Sequence, residues 1–440
     1  MKVYFETLGC PKNFNDTQVA KGVLEKAGIA IAESPEDSDV IIVNTCGFIN
    51  DAKTESIDRI FDMCEYKEDG KKLVVSGCLA QRYSEELYEE MPEADCFIGV
   101  NEYERLPEIL RRLEKEGQRE KIVTEDFARC LPYEKRKLEE NPYSATLKIA
   151  EGCDNRCAYC VIPSIRGGFR SKKKEDVLAE AETLAAAGCR ELILIAQDVT
   201  NYGIDLYGRR CLPELVEALC AVDGIHWIRL MYCYEDRISD ELIQVMAREA
   251  KVCHYIDIPL QHCSDGVLTA MKRRSTEKSI RSTIDRLRKS IPDIHIRTTF
   301  IVGFPGETEE DYEQLCDFVD EMEFDRLGVF AYSQEENTVA GEMDGQIEED
   351  VKTERVDGIM RRQIEISLAS NQRKVGQVLE VLVEGRDEDG SYYGRTEYDA
   401  PEIDNAVLFT SDRDRQLQPG EFVRVRIEDA FDYDLVGVEV

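Results

Sequence analysis

Short apolar runs alternate with helical periodicity along the first 140 residues. Val3–Cys10, Asp39–Cys46 and Lys71–Cys78 read as strands, and Cys96–Val100 as a fourth. Between them Thr17–Ala27, Ala52–Tyr66 and Gln81–Met91 carry helical patterns. Such βα alternation predicts a parallel sheet with helices on its faces. The pattern continues to about residue 370. Strands are predicted at Ala145–Ala150, Glu191–Ala196, His226–Met231, His254–Pro259, His295–Val302 and Arg326–Tyr332. Helices are predicted at Lys174–Ala187, Leu212–Val222, Ser239–Ala250, Thr276–Ser290 and Glu307–Met322. These βα units suit a partial or full parallel barrel, whose site residues gather at the carboxyl ends of the strands. After a charged helical stretch, Val351 to about Ser370, the period changes to two. Val378–Val383, Tyr392–Arg395, Ala406–Phe409, Phe422–Ile427 and Leu435–Val440 then predict a small antiparallel β-barrel. The expected fold class is α/β, in three domains covering 1–140, 141–370 and 371–440. The charged stretches Glu134–Glu140 and Glu335–Asp350 read as interdomain linkers or exposed loops.

Charge and composition narrow the classes. A net charge of −34 over 440 residues argues against broad affinity for nucleic acid or anionic membrane. No run of eighteen apolar residues occurs, and the first residues lack the pattern of a signal peptide. A cytoplasmic protein with no membrane span is expected. In a reducing cytosol, sixteen cysteines point to metal or redox chemistry for some and packing for the rest.

The chemistry concentrates in Cys153-Asp-Asn-Arg-Cys157-Ala-Tyr-Cys160. One tight loop can aim these three thiolates at one inorganic cluster. A 4Fe–4S cubane normally takes four cysteines, so such a loop leaves one iron open, as a catalytic site requires. Structural zinc is the competing reading, but zinc sites usually pair two CxxC halves or add histidines. None of the four histidines lies within about sixty residues after Cys153. Cys10, Cys46 and Cys78 each end a predicted strand, and the carboxyl ends of parallel strands share one edge. Three such thiols converge there as a second three-cysteine site, the alternative being ordinary buried cysteines. Cys64 and Cys96 break this pattern and read as packing residues. In the central segment Gln197-Asp198, Gln261-His262 and Gly303-Phe-Pro-Gly306 fall at strand ends. The glycine turn admits either close approach to a ligand or an ordinary strand-to-helix turn. His262 reads by default as a structural histidine.

The Cys153–Cys160 loop resembles the signature of the radical S-adenosylmethionine enzymes, and the whole chain resembles the methylthiotransferases. Leu8-Gly-Cys-Pro-Lys-Asn13, Val43-Asn-Thr-Cys-Gly-Phe48, Ser76-Gly-Cys-Leu-Ala-Gln-Arg82, Ile162-Pro-Ser-Ile-Arg-Gly167, Ile195-Ala-Gln-Asp198 and Asp257-Ile-Pro-Leu-Gln-His262 are similar to its RimO-type, ribosomal-protein branch. Asn15 and Gln18 depart from that pattern, where an aliphatic residue and a glutamate are more usual. The resemblance implies an auxiliary-cluster domain, a radical S-adenosylmethionine domain and a TRAM barrel. It also implies two 4Fe–4S clusters, one on Cys153, Cys157 and Cys160 and the other on Cys10, Cys46 and Cys78. S-adenosylmethionine would act as methyl donor and radical source, with Tyr159 near its adenine and Gly303 and Gly306 near the cofactor. The implied reaction puts a methylthio group on the β-carbon of an aspartate in ribosomal protein S-twelve. A low-potential donor such as a flavodoxin would supply electrons. The nearest rival is the same chemistry on a tRNA adenosine. Residues 371–440 hold 8 Lys plus Arg against 17 Asp plus Glu, a net of −9, which suits a basic protein better than tRNA. An iron–sulfur electron carrier and an acidic, zinc-holding ribosome-binding protein are rivals from other classes.

Overall fold

The computed structural model describes residues 1–67, 70–124, 127, 136–138, 142–411 and 416–440. Among these, the amino-terminal part forms a six-stranded parallel sheet in the order β2-β1-β3-β4-β5-β6. Its strands are β1 (Lys2–Thr7), β2 (Ala30–Ile31), β3 (Val40–Thr45), β4 (Lys72–Gly77), β5 (Cys96–Ile98) and β6 (Glu120–Ile122). Every residue of the central strand β3 is buried, because helices cover both faces of the sheet.

Two helices differ from the sequence expectation, each for a local reason. The first, α1 (Pro11–Lys26), begins at once after Cys10 rather than at Thr17, with Pro11 in its first turn. Its early turns bury Asn13, Asn15, Asp16 and Thr17, polar residues that leave no apolar period to read. After α2 (Asn50–Cys64), the single helix expected over Gln81–Met91 is two, α3 (Cys78–Arg82) and α4 (Ser84–Glu90). They break at Tyr83 (φ −125°, ψ 37°), beside an Arg82 guanidinium that is drawn to the Gly47 carbonyl and to Glu335. A further helix, α5 (Leu106–Glu116), is bounded by Pro107 and a left-handed Gly117.

The central domain carries β7 (Ser144–Lys148), a two-stranded clasp of β8 (Ala150–Glu151) and β9 (Arg170–Ser171), then β10 (Glu191–Ile195), β11 (Trp227–Leu230), β12 (Val252–Gln261), β13 (His295–Val302) and β14 (Arg326–Ala331). Apart from the clasp, these strands pair in chain order, all parallel, and the sheet stays open as a partial barrel. Leu192, Leu194, Ile228, Leu230, Ile256 and Ile296 pack its helical face. The carboxy-terminal strands β15 (Val378–Arg386), β16 (Tyr392–Arg395), β17 (Val407–Thr410), β18 (Phe422–Ala430) and β19 (Leu435–Glu439) close into the expected barrel. Its pairs are antiparallel except β17 with β19, which run parallel because β18 crosses to the far side of β19.

The linker expected over Glu134–Glu140 falls largely outside the described residues. Of those described there, Arg136 is buried against Glu180 (3.0 Å) and donates to Gln18 (2.8 Å). Glu335–Asp350 does not begin as the exposed loop expected. Glu335 is 2% exposed and accepts Lys53 (2.9 Å) and Arg82 (2.8 Å) from the amino-terminal domain. An acid that looks solvated in sequence is buried once the two domains dock.

The barrel is docked by buried ion pairs. Glu191 is fully buried between Arg229 (2.8 Å) and Arg395 (2.7 Å), and Arg326 meets Asp399 at 2.6 Å. Burial alone would raise the Glu191 pKa, but the charges of Arg395 and Arg229 outweigh it and bring it down to about 2. An unfolded glutamate titrates near ~4.3. The folded value is therefore depressed, and this stabilisation is complete above about pH 5 and lost as pH falls toward 2. Glu191→Gln leaves two buried guanidinium groups without their shared anion. It is expected to destabilise the protein by about 3–5 kcal/mol at neutral pH. In denaturant melts, the gap between wild type and E191Q should shrink steadily as pH drops through that window.

Candidate active site at the junction of the first two domains

Cys10, Cys46 and Cys78 come from three separate chain ends and reach one place. Cys10 caps α1, Cys46 follows β3, and Cys78 opens α3 after β4. Gly9, at φ 86°, lets the chain pass Cys46, since a Cβ there would lie 2.7 Å from the Cys46 Cβ. Burial, together with the nearby Cys78 and Cys10, pushes the Cys46 thiol up to about 12. Burial likewise raises Cys78, against the opposing charge of Arg166. Thiols that penalise one another's ionisation crowd a single small space, and only a cation can relieve that cost.

The second group sits on the loop after β8. Hydrogen bonds hold the loop: Cys153 N–H to Gly167 O (3.1 Å), Ala158 N–H to Met271 O (2.9 Å) and Cys160 N–H to Cys157 O (3.1 Å). Asn155 donates to Cys153 Sγ (3.4 Å) and to Asp198 (3.0 Å), and Asp198 is paired with Arg237. The Gln197-Asp198 motif at the end of β10 thus braces the cysteine loop. Burial pushes Cys153 up to about 11, and burial with the neighbouring Cys157 raises Cys160. The Tyr234 hydroxyl lies 3.8 Å from Cys157 Sγ. Asp154, Asn155, Cys157, Tyr234 and Arg273 line a cleft of about 210 Å³ beside this loop.

A buried charge cluster joins the two groups. Asp16 of α1 pairs with Lys148 at the end of β7 and with Arg166 (2.6 Å), on the short helix Ile162–Arg166 that follows Cys160. Glu151 closes the square to Lys148 (2.5 Å) and Arg166 (3.3 Å), and Gln197 donates to it at 3.0 Å. Arg166 also donates to Asn13 Oδ1 (2.7 Å) and to Cys78 Sγ (3.3 Å). Burial opposes ionisation of Glu151, yet the Lys148 and Arg166 charges hold its carboxyl well below the usual range. Two positive and two negative groups leave the cluster neutral.

Both groups have the donor chemistry of an iron–sulfur cluster: three unbridged soft thiols each, two buried and the third (Cys10 or Cys160) partly exposed. No group of three or more His, Cys, Asp or Glu among the described residues is arranged to hold a single metal ion. A cubane takes thiols set wider apart, because its irons occupy separate corners.

Tyr159 is half-buried beside Ala158, Met271, Phe304 and Tyr332. Gly303 (φ 73°) approaches another chain segment, the Lys352 stem, where a Cβ would lie 3.1 Å from Lys352 Cδ. Gly306 (φ 81°) bonds to Gly345 O at 3.0 Å and has open space at its Cβ position. The turn therefore borders the Tyr159 cluster through Phe304. His262 is fully buried; its Nδ1 accepts from Ser264 N–H (3.0 Å), and burial lowers its pKa to about 4. Of the two departures from the family pattern, Asn15 faces the central domain, donating to Thr146 (3.3 Å), and Gln18 accepts from Arg136 (2.8 Å). Sequence reasoning missed Asp16, Lys148 and Arg166. A lone lysine inside the apolar strand Ala145–Ala150 was the available signal.

Arg166→Met removes one cation from this cluster and strands Asp16 and Glu151 on a single lysine. It is expected to cost about 3–5 kcal/mol and to loosen the interface between the first two domains. Limited proteolysis should accelerate in the variant, while an exposed control, Arg209→Met, should match wild type.

Residues 2–99 match an uncharacterised protein family (UPF0004), 147–319 the radical SAM superfamily and 375–440 the TRAM domain. A "ribosomal protein uS12 methylthiotransferase RimO" of Desulforamulus reducens is 50% identical over 98% of this chain and 98% of its own length. The protein of that name from Pelotomaculum thermopropionicum is 49% identical over 100% and 99%. Among solved structures, the radical S-adenosylmethionine methyltransferase TsrM of Kitasatospora setae superposes with a TM-score of 0.56. It covers 74% of this chain and 72% of that one at 14% identity, a likeness of fold alone. With near-half identity along its whole length, the chain belongs to the ribosomal protein uS12 methylthiotransferase (RimO) family.

Proposed function

We propose that this chain is the methylthiotransferase that modifies the β-carbon of an aspartate in ribosomal protein uS12. One observation carries the reading: two three-cysteine groups face a common junction across a neutral buried charge cluster, in a chain about half identical to such enzymes. Cys153, Cys157 and Cys160 would hold one 4Fe–4S cluster, and Cys10, Cys46 and Cys78 the other. When bound, the clusters and S-adenosylmethionine supply a low-potential electron, a hydrogen-abstracting radical and a methylated sulfur for transfer. The protein's residues do the positioning. Asn155, Asp198 and Arg237 fix the Cys153 loop, and Tyr159, Gly303 and Gly306 border the space assigned to S-adenosylmethionine. The Asp16–Lys148–Glu151–Arg166 cluster holds the separation between the two groups without leaving net charge to attract water. Such fixed spacing is what a radical step needs, because a substrate carbon displaced by about 1 Å reacts far more slowly.

The acidic barrel fits a basic protein substrate. Part of its charge has another use, since Asp399 and Asp404 turn inward to Arg326 and Arg297. The remaining surface acids still give a tRNA backbone no cationic track. No described helix is long and apolar enough to cross a membrane. A cytoplasmic setting, domain limits near 140 and 370 and a flavodoxin-type electron donor complete the reading.

The test is an anaerobic competition with reconstituted protein, S-adenosylmethionine, a strong reductant, purified uS12 and bulk tRNA in one tube. Mass spectrometry should find a methylthio gain on an aspartate peptide and unchanged tRNA; a gain on a tRNA nucleoside alone overturns the substrate. Replacing Cys153, Cys157 and Cys160 together by Ala should leave about four of about eight irons and abolish deoxyadenosine. Replacing Cys10, Cys46 and Cys78 should leave the same half, with deoxyadenosine still formed and no methylthio product.

A further inference from the structure

Lys12 is a buried cation with no paired anion among the described residues. It lies in the first turn of α1, two residues from Cys10, and is 8% exposed. Among the described residues no carboxylate, hydroxyl or carbonyl bonds its ammonium. Its partner is the face of Tyr232, 3.1 Å from nitrogen to ring centroid. In a chain with 90 Asp plus Glu against 56 Lys plus Arg, a buried ammonium with only an aromatic face is unexpected. The nearest acid on its own helix, Asp16, is committed to Lys148 and Arg166, and Asp257 beneath Tyr232 to Arg297 (2.9 Å).

Tyr232 is held for this contact. It is a bulky residue at φ 60°, a conformation that persists only where the surroundings impose it. Its N–H donates to Asp257 (2.9 Å) and its carbonyl accepts from Val199 (3.2 Å). Two residues on, Tyr234 reaches Cys157 of the other group. Two extended residues span about 7 Å, so one short clamped segment runs from Lys12, beside Cys10, to Cys157. That segment ties the ammonium of the Cys10 helix to the loop of the other group. Of the other cations near the two groups, Arg166 and Lys148 are paired with Asp16 and Glu151, and Arg273 donates to Pro259 O (2.8 Å) and lies over Tyr234, on the Cys157 side.

We infer that Lys12 receives the side-chain carboxylate of the substrate aspartate and so sets which β-carbon lies between the two groups. The inference rests on the uS12 reading above, and it supplies a specificity residue for it. A chain this acidic repels a carboxylate at long range, so recognition of an aspartate needs a local cation at contact.

The test is a double-mutant cycle on full-length, anaerobically reconstituted protein. Binding of a uS12 peptide carrying the target aspartate, or asparagine in its place, is measured by fluorescence anisotropy. Wild type should bind the aspartate peptide about tenfold or more tightly than the asparagine one. Lys12→Met should lose that preference while keeping iron content and deoxyadenosine formation, and Lys12→Arg should restore part of it. Equal wild-type affinity for the two peptides overturns the inference with no variant needed. A K12M protein that still discriminates overturns it too, and additive losses assign Lys12 to packing on Tyr232. If K12M loses iron, the neutral Lys12→Gln takes its place in the cycle. Failure of the uS12 reading looks different: wild type then neither binds nor modifies either peptide, and the Lys12 inference falls with it.

Discussion

Four buried charges, Asp16, Lys148, Glu151 and Arg166, are what the working geometry of this protein depends on. Each would be costly alone in a dry interior, and the square they form is neutral and densely bonded. Asp16 belongs to the amino-terminal domain and the other three to the central one, so the cluster exists only when both are folded and docked. Arg166 carries the arrangement onto Cys78, and Glu151 lies two residues before Cys153. Apolar residues of equal volume could hold the domains together as firmly. They would not fix a register, because apolar contact is non-directional, whereas an arginine whose Nη1 serves two carboxylates and whose Nη2 serves Asn13 and Cys78 is satisfied in few geometries.

The same device recurs at the other interface with a different outcome. Glu191 between Arg229 and Arg395, Asp399 against Arg326 and Asp404 against Arg297 dock the barrel against β10, β11, β13 and β14 of the parallel sheet. The barrel's acidity is thus divided between docking and surface. Its inward acids are neutralised, and its outward ones are what an approaching partner meets. This refines the argument from charge counts, which treat every acid as surface.

The glycine turn and His262 each have a packing account within the fold. The close approach that Gly303 allows is made to Lys352, whose ammonium bonds Tyr332 O at 3.0 Å. The turn is a packing junction that lies along the Tyr159 cluster. His262 is bonded through one ring nitrogen and kept neutral by burial.

The α/β class, most of the strands and the five-stranded barrel were legible in the sequence, as was the placing of Cys10, Cys46 and Cys78 after strand ends. Those features rest on local periodicity and on spacing along one chain, which the order of residues records directly. Strand ends in the central domain fell within a few residues of expectation for the same reason. Tertiary structure alone decided the early start of α1, the burial of Glu335 and Arg136, the charge square and the seating of Lys12 on Tyr232. Each joins residues far apart in sequence through polar side chains. Polar residues carry no periodic signal, and a buried ion pair reads as two solvated charges until its partner is brought within bonding distance.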